Sequence, residues 1–115
     1  MSEWMQIDVR LLAVYGSAGL KGVFPRFAKF LKDFGYTRVL EEEPTLYHLV
    51  DVLVRIRNDP QVPENYKKPI LQTVGELVKI RDEAREHLLA RRLNELDSAL
   101  YRIEDRFKGL ERDLG

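Results

Sequence analysis

The chain has 115 residues, 44% hydrophobic and 33% charged, enough for one domain with an appended arm and too few for two domains. Nineteen basic and nineteen acidic residues cancel to zero net charge, so no global field draws the chain to nucleic acid, and any such contact must be a local patch. The absence of cysteine excludes a disulfide framework and thiolate metal sites; no apolar run or leader pattern suggests a membrane, and a cytoplasmic location is expected.

Ser2 is placed to cap a first helix, with Trp4, Ile7, Leu11, Val14 and Tyr15 on one face and Gly16 as its stop. Ile7, Val9, Leu11, Ala13 and Tyr15 also alternate as in a strand. The helix is the reading taken, because Leu12 and Val14 fill the positions that alternation would make polar, and the strand stays open. Residues 16–22 (GSAGLKG) read as a loop without the spacing of a phosphate-binding turn. Pro25 then opens a second helix, in which Phe27, Phe30, Leu31 and Phe34 recur at helical spacing and Gly35 ends it. Residues 36–40 are short and β-prone, and Glu41, Glu42 and Glu43 read as a solvated run. Thr45 is a natural cap for a third helix carrying Leu46, Leu49, Val50, Leu53 and Ile56. Residues 58–69 form a polar connection interrupted by Pro60 and Pro63, with the next helix beginning near Pro69.

From Ile70 to Leu114 there is no proline, and one long helix is expected. At about 1.5 Å per residue it would run roughly 65 Å, more than the remaining residues can cover. Ile70, Val74, Leu77, Ala84 and Leu88 form a first stripe, with Arg81 in an apolar slot. Leu93, Leu96, Leu100, Ile103, Phe107, Leu110 and Leu114 form a second, out of phase near Leu88 and Leu89 like a coiled-coil stutter. The first stripe is expected to pack on the N-terminal helices and the second on another copy of the chain, in a homodimer or higher oligomer. The rival is a helix–turn–helix break at residues 91–94, although no Gly or Pro marks a turn there. In the coiled-coil reading Arg92 with Asp97, and Arg106 with Glu111, face each other across a parallel seam.

The fold class expected is therefore mainly α. Residues 1–69 make an N-terminal domain of three short helices, and residues 70–115 make a long coiled-coil helix serving as an oligomerisation arm. The abundance of Glu, Arg and Lys without Cys resembles the composition of heat-adapted proteins. His48 with Asp51, and Glu83 with His87, each share a helix face, but neither pair has a third ligand in register. No metal and no cofactor is expected.

The order of pieces resembles a PadR-type winged-helix transcription regulator. LLAVYGSAGLKGV stands where that family has its apolar first helix and turn, and FPRFAKFLKDF where it has its second helix. PTLYHLVDVL is similar to its TLYxxLxxL recognition helix, and KKPILQTVGELVKI to its passage from wing to dimerisation helix. Pro44 replaces the family's Gly before Thr-Leu-Tyr, and residues 55–69 hold three prolines where a β-wing belongs. The resemblance implies a dimeric, non-enzymatic regulator bound to double-stranded DNA. Thr45, Tyr47 and His48 would then open the recognition helix, Lys21 and Arg26 would flank it, and Lys67 and Lys68 would hold phosphate from the wing. Two alternatives remain: a helical adaptor or scaffold that binds protein, and a HEPN-like RNase, whose Arg…His spacing Arg81 and His87 loosely resemble.

Overall fold

The computed structural model describes residues 18–114, and the helix or strand expected over residues 4–15 lies outside them. The described residues form six helices and no strand: α1 Gly19–Val23, α2 Pro25–Asp33, α3 Thr37–Glu42, α4 Leu46–Arg57, α5 Glu64–Leu89 and α6 Leu93–Asp113. None of these helices is long and apolar enough to cross a membrane.

Two elements form where local chemistry asks for them. Pro25 occupies the first turn of α2, where its missing N–H costs nothing, and Phe27, Phe30 and Leu31 turn into the core. The Thr45 hydroxyl accepts the His48 N–H at 3.3 Å and caps α4, whose Leu46, Leu49, Val50, Leu53 and Ile56 are all buried. Two short stretches depart from expectation. Residues 37–42 are helical rather than β-prone, because no neighbouring strand exists among the described residues to satisfy an extended backbone. Residues 19–23 form a helical turn instead of a loop, anchored from a distance: the Leu20 N–H donates to Glu43 Oε2 at 2.8 Å. Glu43 is thus half-buried at the α3–α4 corner, not part of a solvated run. Gly19 has a positive φ, and a Cβ there would collide with that carboxylate.

The expected single helix over residues 70–114 is not formed. The described residues extend 41 × 28 × 21 Å, too short for a 65 Å rod, and α5 and α6 fold back on one another as a helical hairpin. The break falls at residues 90–92. Arg91 adopts a left-handed conformation (φ 59°), its N–H donates to the Leu88 carbonyl, and the Arg92 N–H donates to the His87 carbonyl. These are the two bonds of a Schellman motif, with arginine where glycine is usual. A left-handed non-glycine residue costs about 1–2 kcal/mol, which the burial between the two helices outweighs. Arg91→Gly should remove that strain and stabilise the fold by roughly 1 kcal/mol, raising the thermal midpoint by a few degrees. A fall in the midpoint would show that the arginine side chain contributes more than its backbone costs.

At its other end α5 begins at Glu64, earlier than expected. Pro69 sits inside its second turn, and the Asn65 carbonyl goes without its helical donor. Along α5 the buried positions are Lys67, Ile70, Val74, Leu77, Ile80 and Ala84. Ile80 takes the core position that the repeat alone would give to Arg81. On α6 they are Leu96, Ala99, Ile103, Phe107 and Leu110, while Leu93 and Leu100 are only half-buried. The second stripe therefore meets α5, α4 and α2 of its own chain. The length that called for a second copy is gone.

Electrostatics follow the hairpin. Arg106 pairs with Glu76 at 2.7 Å and Arg102 with Glu83 at 2.8 Å, both across α5–α6. Glu111, expected to face Arg106 across a seam, instead accepts the Arg26 and Phe27 N–H groups at 2.9 and 3.0 Å, capping α2 from the far end of the chain. Tyr36 donates to Asp59 at 2.8 Å and ties the start of α3 to the α4–α5 connection. Burial, then this hydrogen bond, pushes the Tyr36 hydroxyl up to about 12.

Candidate functional site

Of the seven residues expected around a DNA-reading helix, Thr45, Tyr47 and His48 sit together at the start of α4, Lys67 is buried, and Lys21, Arg26 and Lys68 belong to other helices. Thr45 and His48 are committed to each other: the cap is joined by a 2.8 Å contact from Thr45 Oγ1 to His48 Nδ1. Tyr47 is half-buried, edge-on to the His48 ring, and burial raises its hydroxyl pKa against the opposing pull of Arg81 and Arg85. Arg26 points to the end of α6, where its guanidinium donates to the Arg112 carbonyl at 3.2 Å. Lys21 and Lys68 are exposed.

Lys67 is the clearest departure. It is 6% exposed, and its ammonium donates to the carbonyls of Arg57 and Asp59, both at 3.0 Å, with the Ile56 carbonyl at 3.5 Å. These are carbonyls at the end of α4, so the charge satisfies a helix terminus and its dipole. In this position it holds no phosphate. Lys67→Met keeps the aliphatic stem but leaves the carbonyls without their donor, and should cost about 1–3 kcal/mol in a urea titration. A phosphate-binding surface lysine would change stability by less than about 0.5 kcal/mol.

Six of the twelve residues of α4 are buried, and its exposed positions are His48, Asp51, Arg55 and Arg57. Asp51 pairs with Arg81 of α5. Burial opposes the charge on Arg81, but the hydrogen bonds it donates to Asp51 and Asp82 hold its pKa above the usual arginine value. His87, six residues further along α5, instead accepts from Arg92 Nε at 3.0 Å. The two residues expected of an RNase pair thus serve separate contacts.

Two open grooves flank α2. The first, of about 510 Å³, lies where α2 and α6 end and α5 begins. Phe34 and Tyr66 form its aromatic wall, with ring centroids 5.7 Å apart, and Tyr66 is 58% exposed. Arg26, Lys29, Asp33 and Asp113 supply charges of both signs. The second, of about 640 Å³, runs between α1, α2 and α3. It is lined by the apolar Pro25, Ala28 and Leu40 and by Thr37, with Lys21, Lys29 and Lys32 beside Asp33 and Glu41. Lys29 and Lys32 escape a motif-based reading. Their signal is their spacing from Pro25 and Ala28, which places all four on the face of α2 opposite Phe27, Phe30 and Leu31.

Among the described residues no group of three His, Asp or Glu side chains is disposed to hold a metal ion. Comparison with protein-family models, with curated proteins and with solved structures found no match to the chain. The functional reading accordingly rests on the residues themselves.

Proposed function

We propose that this chain is a helical adaptor that binds a protein partner through the surface around α2. The observation that carries this reading is the lining of the two grooves. Each combines apolar or aromatic residues with side chains of both charge signs. Such a lining accommodates protein side chains, which are themselves mixed, whereas carboxylates in the wall repel a uniformly negative phosphate backbone. The exposed Tyr66 supplies a large, rigid contact of the kind enriched at protein interfaces.

A DNA-binding transcription regulator is the second reading, favoured by the basic character of the α1–α2 surface. Lys21 and Lys68 would then supply phosphate contacts and His48 a base contact. Fluorescence anisotropy with a random DNA duplex at low salt separates the two. The adaptor is expected to leave the duplex unbound at tens of micromolar protein. A selection from a random peptide library should enrich peptides whose binding weakens on Tyr66→Ala or Lys29→Glu. Tight duplex binding that falls steeply with salt would reverse the ranking.

A further inference from the structure

The turn that makes the hairpin is built from residues that favour a helix. Leu88, Leu89, Ala90, Arg91, Arg92 and Leu93 are all strong helix formers, and none is a residue typical of turns. Arg91 nevertheless takes a left-handed backbone there, a conformation that strains a side chain such as arginine. Only residues 90–92 separate α5 from α6, so the turn has little slack in which to spread that strain. Leu89 is left 66% exposed at the tip, with Leu88 and Leu93 half-buried beside it. Leu89 also stands in phase with Leu93, Leu96, Leu100 and Ile103, so a continuous helix would carry the α6 stripe through it.

We infer that α6 exchanges between two copies of this chain. In the exchanged dimer residues 90–92 become helical, and α5 and α6 join into one rod of about 75 Å. Two such rods lie antiparallel and cross at Arg91. Each contact that α6 makes within its own chain is then supplied by the second copy. Glu76 and Arg106 stand fifteen residues either side of Arg91, so their pair forms equally well between copies related by a two-fold axis at the turn. The buried Leu96, Ile103 and Phe107 fill the same core in the second copy, and Glu111 caps that copy's α2. What changes is the hinge. The strain at Arg91 is released twice per dimer, and Leu88, Leu89 and Leu93 of the two copies meet at the axis instead of facing solvent. A short turn under strain is the condition that invites such an exchange. The opposing cost is the lost freedom of two chains joining, so the dimer gains with concentration. The exchange is independent of the protein-binding reading.

Wild-type chain warmed to its unfolding midpoint at high micromolar concentration and then cooled is expected to elute partly as a dimer, with its mass checked by light scattering. The chain has no cysteine, so Glu76→Cys and Arg106→Cys can be prepared separately, mixed before warming and treated with a short bis-maleimide. A covalent dimer with one chain of each kind is expected, because exchange brings position 76 of one copy beside position 106 of the other. Arg91→Gly should raise the dimer dissociation constant by about tenfold or more, since glycine relieves the turn and the effect counts twice per dimer. Arg91→Val should lower it, since a β-branched side chain tolerates a left-handed backbone even less. Both variants lose the arginine side chain, so its own contacts cancel between them. If the valine variant fails to fold, a Gly-Ser-Gly insertion after Ala90 takes its place: it lengthens the turn and should leave only monomer. A wild type that stays monomeric after warming would overturn the exchange, as would a dimer that gives no mixed cross-link. Equal dimer fractions for wild type and Arg91→Gly would overturn it too, because the hinge strain would then play no part.

Discussion

Ile103→Asp is expected to unfold the isolated chain. Ile103 is completely buried on α6, within the hydrophobic core of the described residues. A carboxylate there has no partner, and burying an unpaired charge costs several kcal/mol or forces the group to stay protonated. Domains of this size hold only about 5–15 kcal/mol of stability, so the cooperative melt should be lost or displaced by tens of degrees. Leu100→Asp, one turn away at a half-buried position, should be much milder. The comparison has a second use. A leucine stripe between subunits would respond to Ile103→Asp by releasing folded monomers. Circular dichroism together with sedimentation at tens of micromolar distinguishes the outcomes, and a folded product of half the wild-type mass would restore the intersubunit seam.

Phe107→Ala should cost about 3–5 kcal/mol, the usual penalty for emptying a large buried aromatic site. The Phe107 ring is 1% exposed and packs against Phe24 and Phe27, with centroids 6.1 and 6.2 Å away. These contacts join α6 to the opening of α2, beside the bonds that Glu111 makes to the same helix start. Losing them should lower the thermal midpoint by on the order of 15 °C. Phe107→Leu, which fills most of the volume, should recover more than half of that. The same bulk that makes Phe107 awkward in a regular two-stranded coil suits it to a junction where three helices meet. A loss below about 1 kcal/mol for the alanine variant would mean that α6 does not close on α2.

Helices α2 and α4 were legible because their signals are local. Pro25 and Thr45 act within their own first turns, and one-sided burial follows from 3.6-residue periodicity whatever the partner is. The phase slip near Leu88 and Leu89 was legible too, and it falls beside the turn at residues 90–92. Its meaning was not. A stutter in a continuous rod and a turn between two helices produce the same slip, and Arg91 carries no compositional sign of its left-handed backbone. Only the energy gained when α6 lies back on α5 selects the turn, and that gain depends on residues far apart in sequence. Ala99 illustrates the point: it is buried in the seam, a position the leucine repeat passes over.

The same division applies to the candidate site. Individual basic residues and the amphipathic faces of α2 were readable from composition and spacing. Which lysines face solvent was not. Lys67 and Lys68 are adjacent, yet one is drawn under the end of α4 by three carbonyls and the other stays exposed. Glu43 and Glu111 likewise look like surface acids until the fold brings a helix start to each. The sequence by itself determined a mainly α-helical chain, the starts of two helices and most of their apolar faces, because these depend on periodicity and short-range hydrogen bonding. Tertiary structure decided the hairpin, the fate of the charged residues and the grooves beside α2. Those depend on which backbone donors and acceptors are left open when distant helices meet, a quantity no local window contains.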